Sequence, residues 1–590
     1  MGFFPKKTVA EQPAEEPAPA APSDIEKTAE PHHEPVKDSV EDLITKDAQA
    51  GVQKVEAVTA VWSKWHLILA YLLYIWLFYV VTSIQEVALG VFTPFVTSAF
   101  SLHSLTAATS IMASIIAGLF KLPLSKVLDT WGRPQGLGLM LVIWIVGFIM
   151  MAACNGVTTY AAAQVFYSTG SQGVSYVLTI FVADTSTLKS RALMLSFATT
   201  PYIFTTWAAG PITDSVLGTN GMGWRWGIGM WAIVAPFVIG PLVFLFLWNQ
   251  HKAEKMGLLE PQGKISHITA KSVWNFCIDV DLLGIFILGA GMALFLLPFS
   301  LYSYQADGWR SPMIIAMIVV GAVLVGVFVL WERYWAPVTF IPFKLLADRT
   351  VFFGGMMFVF VFCQSSIWGS YFTSMLMVVW ETSASQTTYI SNIYRTGSCF
   401  FSIIISALIY RTGRFKPFAL FFLVPLMMLG VGLMIHFRQP DQSLGYIIMT
   451  QIFVAFAGGP IVICGEMAML SPSDHQHVAV IMAVLDLFGS IGSAIGGTIA
   501  AAIWTGTFYK NLVKYTPEGT DVASIYGDIN VQLSYESGSP TSNGIKRAYG
   551  DSQRIMCITS VCFLVGALTC VALWRNLNVK HIKQVRGNVV

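Results

Sequence analysis

The sequence predicts an all-α integral membrane protein. Of its 590 residues, 55% are hydrophobic and only 12% are charged, and the mean hydropathy is +0.63. A water-soluble domain of this composition would have too little polar surface. A membrane-spanning helix needs about 20 mostly apolar residues. The chain contains fourteen apolar runs of this kind, and we therefore expect fourteen transmembrane helices.

The remaining composition excludes several classes of protein. The formal net charge of +2 is close to balance, so we expect no nucleic-acid partner. The eight cysteines lie almost entirely in apolar stretches without a close C-x-x-C pair, which favours buried small side chains over a metal site. The ten histidines form no inward-facing pair on neighbouring spans, which argues against a haem enzyme. We expect neither an enzyme nor a resident cofactor.

The elements follow in order along the chain. Residues 1–62 are rich in Ala, Pro, Glu and Asp and cannot bury enough apolar surface to fold alone, which predicts a disordered tail. No cleavable signal peptide is expected, so the first span directs insertion. The predicted spans are 67–92, 104–126, 137–155, 159–184, 192–213, 227–248, 282–303, 312–332, 351–379, 386–410, 417–436, 444–470, 478–506 and 555–574. A basic tail over residues 576–590 completes the chain.

The distribution of Lys and Arg predicts the orientation. An even number of spans places both termini on one side of the membrane, and basic residues mark cytoplasmic connections. Lys126 and Arg133 follow the second span, and Lys189 and Arg191 follow the fourth. The odd-numbered connections carry few basic residues. We therefore expect both termini in the cytoplasm.

One predicted outward connection is long. Residues 509–551 are polar and rich in Gly, Ser, Tyr and Asp. A connection of this length in a compact bundle is usually either functional or disordered.

A short motif recurs after spans two and ten, as LDTWGR ending at Arg133 and as IYRTGR ending at Arg414. The glycine lets the chain turn, and the arginine can pair with a carboxylate or a helix C-terminus. The pair of motifs resembles the D-R-x-G-R loop signature of the major facilitator superfamily, with Thr130 and Tyr410 as departures from it. We predict a gating role for Asp129, Gly132, Arg133, Arg411, Gly413 and Arg414.

The repeat also divides the chain. The resemblance implies a major facilitator fold of two pseudo-symmetric six-helix halves, separated by two inserted helices. The predicted units are a cytoplasmic tail (1–62), an N-terminal half (63–248), a linker with the two extra spans (249–350), a C-terminal half (351–575) and a basic tail (576–590).

Polar side chains inside the apolar runs are the candidate site residues. Each charged group at the bilayer centre costs about 2.5–3.5 kcal/mol on insertion scales and normally faces a cavity or a partner. In span one, Tyr79 and Glu86 lie on one polar stripe with Gln85 beside it. A carboxyl group in such a cavity can take up and release protons, so Glu86 is the predicted proton carrier. The alternative is a carboxylate permanently paired with Arg395.

Spans four and ten each carry a polar stripe at helical spacing. Such a face does not point at lipid, and it either contacts substrate or forms hydrogen bonds between helices. Together with span one, the two stripes are expected to line one chamber. The predicted substrate-binding residues are Tyr79, Gln85, Gln164, Tyr167, Gln172, Tyr389, Asn392, Tyr394 and Arg395.

Two further carboxylates are predicted to take part in proton coupling, Glu466 in span twelve and Asp486 in span thirteen. Small residues follow Asp486 at close spacing, which suits either a sliding interface between the halves or static packing. These residues are Gly489, Gly492, Gly496 and Gly497.

Several unlinked motifs resemble those of the fungal siderophore-iron transporters over about residues 50–575. They are QVFY from Gln164, ADT from Ala183, WRWG from Trp224, LPFS from Leu297, YISNIY from Tyr389, GSCF from Gly397 and HQHVAV from His475. The resemblance implies proton-driven uptake of ferric siderophores, mostly hydroxamates, across the plasma membrane, with the 509–551 loop involved in substrate handling. An endosomal vesicle membrane is the alternative location.

The resemblance also implies the partners. Iron held inside a chelate needs no ligand from the protein, and the expected partners are the ferric siderophore, protons and the lipid bilayer, with the chain acting as a monomer.

The main alternative function is a fourteen-span drug/proton antiporter that exports toxins. Exporters of the superfamily usually carry an arginine in span four and a Gly-Pro followed by two glycines in span five. Gln164 stands near the first position, and Gly210-Pro211 is followed by Ile212-Thr213. These departures favour import. A third alternative is a transporter-like receptor that senses the siderophore without moving it.

Overall fold

The computed structural model describes residues 74–100, 106–130, 132–186, 188–217, 221–256, 274–275, 277–278, 281–302, 305, 307–336, 347–472 and 478–581. The regular structure in these ranges is helical, without a β-strand. The predicted tail over residues 1–62, the part of the basic tail beyond residue 581, and His475 to His477 lie outside the described residues.

The helices follow the chain in a simple order. They are α1 (Trp76–Ser98), α2 (Thr106–Thr130), α3 (Arg133–Ala152), α4 (Val157–Thr185), α5 (Leu188–Ala198), α6 (Tyr202–Leu217), α7 (Gly223–Lys255), α8 (Leu282–Leu296), α9 (Pro298–Leu301), α10 (Pro312–Tyr334), α11 (Arg349–Gly369), α12 (Phe372–Val379), α13 (Ala384–Thr412), α14 (Lys416–Phe418), α15 (Val424–Phe437), α16 (Leu444–Leu470), α17 (Val478–Tyr515), α18 (Val522–Gly527), α19 (Ile529–Leu533) and α20 (Pro540–Ala572).

Each predicted span overlaps one of these helices or a broken pair of them. Ten helical stretches in the described part of the chain are long and apolar enough to cross a membrane. α4 is not one of the ten, since it carries the polar stripe of span four, and α8 has only 15 residues. The prediction of an all-α membrane-spanning protein is confirmed, whereas the count of fourteen spans stays a prediction.

Two pairs of helices make the most extensive contacts between the first six predicted spans and the last six. α2 packs along α17, and α6 packs along α13. The two helices of the predicted insertion, α8 and α10, pack mainly on each other, and α8 also contacts α2. A break between α5 and α6 coincides with Pro201, whose ring nitrogen cannot donate a backbone hydrogen bond.

The glycines of span thirteen pack inside one half. A Cβ atom at Gly492 would overlap the backbone of Val359, and one at Gly496 would overlap the backbone of Cys363. Both contacts are with α11, so these glycines allow the close approach of α17 to a helix of its own half. The structure therefore favours static packing over a sliding interface at this stripe.

The predicted 509–551 loop is mostly helical. α17 continues to Tyr515 and α20 begins at Pro540. Only residues 516–539 connect them, and α18 and α19 lie within this segment, which we call the cap. The backbone polar groups of the connection are thus largely satisfied within helices.

The cap packs against the helices beneath it. Ile525 and Ile529 are fully buried, and the hydroxyl of the buried Tyr549 donates to Gln532 Oε1 at 2.8 Å. The backbone N–H of Ile529 also donates to Ser98 Oγ at 3.3 Å, at the end of α1. The cap is therefore an ordered element that contacts both the first and the last parts of the bundle.

Glu381, between α12 and α13, connects the cap to α20. Glu381 Oε1 lies 2.6 Å from Lys546 Nζ and accepts a hydrogen bond from Ser537 Oγ. These two donors lower the pKa of Glu381. A carboxylate with a lowered folded-state pKa contributes stability above its unfolded-state pKa, and this contribution is lost as the pH falls through the lowered value. The contact should therefore persist at pH 5.

We predict that Glu381→Gln loosens the cap, because it removes the charged acceptor that Ser537 of the cap shares with Lys546 of α20. Cleavage of residues 516–539 by a glutamate-specific protease, normalised to cleavage of a matching peptide, should accelerate several-fold in the variant at pH 7. Wild-type protein should give the same normalised rate at pH 5 and 7. The exposed Asp441→Asn is the control. Equal cleavage of wild type and Glu381→Gln would contradict the assignment.

Candidate functional site

A cavity of about 490 Å³ lies between the two sets of helices. Its walls come from α1, α4, α5, α6, α11, α13 and α16. The break between α5 and α6 lets Thr199 and Tyr202 both face it. The lining residues are Tyr79, Glu86, Thr179, Leu195, Thr199, Tyr202, Phe362, Tyr394, Arg395, Ser398, Cys399, Ser402, Gly458, Gly459, Val462, Ile463 and Glu466.

An ion pair between α1 and α13 crosses one wall of the cavity. Arg395 Nη1 donates to Glu86 Oε2 at 2.7 Å, and the Tyr202 hydroxyl donates to the same oxygen at 3.2 Å. The Arg395 guanidinium also lies 4.9 Å from the centroid of the Tyr202 ring. The side chains of Arg395 and Glu86 remain 36% and 28% exposed. The pair is thus satisfied and still accessible from the cavity.

The structure brings five of the predicted site residues to this cavity. Tyr79 and Tyr394 provide aromatic surface, Glu86 and Arg395 provide the ion pair, and Glu466 provides a second carboxyl group. Tyr79 also lies beside Tyr202, with the ring centroids 6.1 Å apart. Residues from the first, tenth and twelfth predicted spans therefore share one chamber.

The amides predicted on spans one and four instead bond to neighbouring side chains. Gln85 is fully buried, and its Nε2 donates to the Tyr167 hydroxyl at 2.8 Å. Gln164 Nε2 donates to the Tyr160 hydroxyl at 3.0 Å, and Gln172 Nε2 donates to Ser168 Oγ at 3.1 Å. Gln85, Tyr167, Gln164 and Gln172 do not line the cavity, and Thr179 is the residue of α4 that does.

The remaining residues predicted on span ten lie outside the cavity wall. Asn392 is buried, and its Nδ2 donates to the Thr388 carbonyl at 2.8 Å. Tyr389 packs against Trp207 of α6, with the ring centroids 5.3 Å apart. The Asn392 hydrogen bond lies within α13, whereas the Tyr389–Trp207 contact joins α6 to α13, which is the helix-to-helix role left open for this stripe.

The two further carboxylates lie close to each other but in different surroundings. Glu466 faces the cavity, and its Oε2 atom is buried without a hydrogen-bond partner. Asp486 forms an ion pair with Lys121 of α2, with Oδ2 and Nζ 3.0 Å apart. The negative charges of Glu466 and Asp486 repel each other.

The first copy of the repeated motif forms a buried ion pair. Gly132 precedes α3 with φ of +121°, a conformation that favours glycine. Arg133 Nη2 then lies 3.3 Å from Asp184 Oδ2, with both side chains buried. This contact joins the start of α3 to the end of α4. Asp129 belongs to α2, and its side chain lies outside the described residues.

The second copy is built differently. Gly413 ends α13 with φ of +74°, and its carbonyl accepts a hydrogen bond from the Val579 N–H at 2.9 Å. A side chain at Gly413 would overlap Asn578. Arg411 and Arg414 are both exposed. The chain beyond α20 occupies the space beside Gly413, so the two copies of the motif are not structurally equivalent.

Two residues near the site were missed by the sequence analysis. Tyr202 follows Pro201 and shows no polar periodicity, so only the fold brings it to Glu86. Lys121 carried a usable signal, because a lysine inside an apolar run normally has a partner or faces a cavity.

We predict that the two motif arginines differ in importance. Arg133→Ala would leave Asp184 buried without its counter-ion, which typically costs about 3–5 kcal/mol. Arg414→Ala changes an exposed side chain and should stay within about 0.5 kcal/mol of wild type. Denaturant unfolding in detergent micelles measures both. Similar losses in the two variants would show that the motif acts symmetrically.

We further predict that Glu86 and Arg395 are energetically coupled. A double-mutant cycle of Glu86→Gln and Arg395→Gln should give an interaction free energy of about 1–3 kcal/mol in unfolding measurements. The pair of Asp348 and Arg575, whose Oδ2 and Nη1 lie 3.0 Å apart and whose side chains are 23% and 59% exposed, lies outside the cavity; it is the control and should give at most about 1 kcal/mol. Additive effects at the cavity pair would mean that the two charges act independently.

The fold has counterparts among solved structures. A bacterial homolog of the human lysosomal transporter Spinster, in an inward-facing and occupied conformation, aligns with a TM-score of 0.52 and 16% identity, over 87% of this chain and 97% of that chain. The unoccupied inward-facing form aligns with a TM-score of 0.51. These structures share the fold of this chain.

Sequence comparisons identify the family. A family model described as the fungal trichothecene efflux pump matches residues 79–407. MFS siderochrome iron transporter 1 of Ajellomyces capsulatus is 51% identical over 93% of both chains. MFS siderochrome iron transporter D of Aspergillus fumigatus is 41% identical over 92% of this chain and 90% of its own. Siderophore iron transporter mirB of Emericella nidulans is 37% identical over 93% of this chain and 91% of its own. This chain belongs to the fungal siderophore-iron transporter family of the major facilitator superfamily.

Proposed function

We propose that this protein imports ferric hydroxamate-type siderophores by proton-coupled transport. The observation that carries the proposal is the cavity between the halves, in which an accessible ion pair, three tyrosines and a second carboxyl group face one chamber. The names of the relatives, siderochrome and siderophore iron transporters, supply the substrate class.

The cavity suits a wrapped metal chelate. Its volume of about 490 Å³ falls within the range of about 300–1,000 Å³ typical of small-molecule sites. Tyr79, Tyr202 and Tyr394 offer aromatic faces to the organic shell of the ligand. Arg395 and Ser398 offer donors for its carbonyl and hydroxamate oxygens. Iron would enter as substrate inside the chelate, without a resident cofactor.

Coupling to protons would use the carboxyl groups at the chamber. Glu86 is held by Arg395 and Tyr202, so protonation of Glu86 would release the guanidinium to a bound ligand. Glu466 and Asp486 provide a second pair of carboxyl groups nearer one end of the bundle. In the resulting transport cycle, protonation of these carboxyl groups shifts the equilibrium between the outward-open and the inward-open arrangement of the two halves.

The cellular setting is part of the proposal. We place the protein in the plasma membrane with both termini in the cytoplasm, acting as a monomer, with an endosomal vesicle membrane as the alternative.

Export of toxic small molecules by proton antiport is the second candidate. The match to a family model described as a fungal trichothecene efflux pump favours it. The relatives named as iron transporters cover more than nine-tenths of the chain, whereas that model covers residues 79–407. Import is therefore the stronger proposal.

An uptake assay separates these functions. Cells that lack their own siderophore uptake would express this chain and receive a panel of radiolabelled ferric chelates, with and without a protonophore. We expect accumulation of ferric hydroxamates that collapses with the protonophore. Accumulation that survives the protonophore would contradict proton coupling, and net efflux of preloaded compound would favour the exporter. Surface binding without uptake would indicate a receptor.

We predict that Glu86→Gln abolishes accumulation while exchange of bound substrate across the membrane continues in part. The amide cannot carry the proton, but it preserves the size of the side chain. Wild-type accumulation in this variant would exclude Glu86 from coupling.

The native thiol of Cys399 provides a binding readout in the same protein, because it lines the cavity beside Arg395. Ferric hydroxamate should slow its alkylation, and the metal-free chelator should protect it less. The exposed Cys562 is the matched control, since its alkylation should not respond to substrate.

A further inference from the structure

Lys121 is a buried cation at the interface between the two halves. It lies on α2 of the first half, its side chain is only 9% exposed, and its Nζ lies 3.0 Å from Asp486 Oδ2 on α17 of the second half. One turn earlier on α2, Gly118 faces Ser490 so closely that a Cβ atom there would overlap the serine side chain. The ion pair therefore lies in a tightly packed interface between halves.

A third ionisable group, Glu466, lies near enough to this pair to interact with the charge of Asp486. Glu466 of α16 faces the cavity, its Oε2 has no hydrogen-bond partner, and its charge is repelled by that of Asp486. The second half thus places two carboxyl groups near a contact to which the first half contributes one ammonium group. With all three groups ionised, the cluster would carry a net charge of −1 in a poorly solvated interior, which is costly.

The charge balance links the three residues. While Lys121 is paired with Asp486, the cluster is neutral if Glu466 holds a proton. When Glu466 releases its proton, its carboxylate becomes a second partner for the lysine, whose ammonium group sits on a flexible four-carbon stem. The Lys121 ammonium group would then be shared between the carboxylates of Asp486 and Glu466, which changes the ionic contact between α2 and α17.

Few other ionisable groups face the cluster across the cavity. The Tyr79 phenol of α1 is close enough to sense the charge of Glu466. The Glu86–Arg395 ion pair also faces the cavity, and it is internally neutral. α4 and α11 present Thr179 and Phe362 to the chamber. On the side away from the cavity, Lys121 is the cation that pairs with Asp486.

We propose that Lys121 is a coupling residue, which transmits the proton occupancy of Glu466 on the cavity wall to the α2–α17 contact between the halves. This inference rests on the proposed proton-coupled transport and assigns to it a residue on the first half. Lys121 acts through Asp486 and Glu466, and it does not line the substrate cavity.

The test compares accumulation with exchange. Lys121→Gln should lower the steady-state accumulation ratio of a ferric hydroxamate about tenfold or more, within the usual range of coupling between two sites. Counterflow exchange in proteoliposomes without a proton gradient should stay within about threefold of wild type, because the substrate cavity is intact. Lys121→Arg keeps the positive charge and should restore much of the accumulation. Lys510→Gln, on the exposed end of α17, is the control for loss of a lysine.

A second measurement, the pH dependence of substrate affinity, distinguishes a loss of coupling from a folding defect. Substrate affinity of purified wild-type protein should vary with pH, and this dependence should flatten equally in Lys121→Gln and Glu466→Gln. Lys121→Gln combined with Asp486→Asn removes the pair without leaving an unbalanced charge, so it should fold like wild type and still accumulate poorly. Wild-type accumulation by this double variant, or an unchanged pH dependence in Lys121→Gln, would overturn the assignment.

Failure of the proposed function gives a different result. In that case wild-type protein itself would show no protonophore-sensitive accumulation. If wild-type protein is protonophore-sensitive and Lys121→Gln is equally so, the transport proposal stands and the role of Lys121 is wrong.

Discussion

The ion pair between Glu86 and Arg395 is the constraint around which the cavity is arranged. Neither charge could be placed alone at this depth without a large desolvation cost. Together, at 2.7 Å and with the Tyr202 hydroxyl on the same oxygen, they are compensated while remaining reachable from the chamber. Glu86 lies on α1 of the first half and Arg395 on α13 of the second half. Their ion pair therefore also fixes the position of one half relative to the other.

Contacts within a half and contacts between the halves include both close packing and polar pairs. Within the second half, Gly492 and Gly496 let α17 approach the backbone of α11, and such contacts do not readily separate. Between the halves, several contacts are ion pairs or hydrogen bonds between hydroxyl groups, such as Ser196 Oγ to Ser406 Oγ at 2.8 Å. Polar side chains can exchange a protein partner for water or ligand, which suits a fold whose halves must move against each other.

A charge that stands alone in an apolar run was an informative signal for the cavity lining. Glu86, Arg395 and Glu466 are costly in lipid, so each had to face a cavity or a partner, and all three do. The amides were less informative. Gln85 and Gln164 lie on polar stripes as predicted, but they bond to tyrosines between helices. Helical periodicity identifies a face that avoids lipid, but it does not identify the neighbour which that face meets.

Sequence alone determined the membrane-spanning helical class, the polar faces and the duplicated motif, because these depend on local composition and on periods of a few residues. The tertiary structure decided which polar residues share a chamber, why the motif at Arg133 is buried and that at Arg414 exposed, and how the 516–539 segment folds. Each of these depends on contacts between residues far apart in the chain, such as Glu86 with Arg395 or Val579 with Gly413, and no local pattern specifies such pairings.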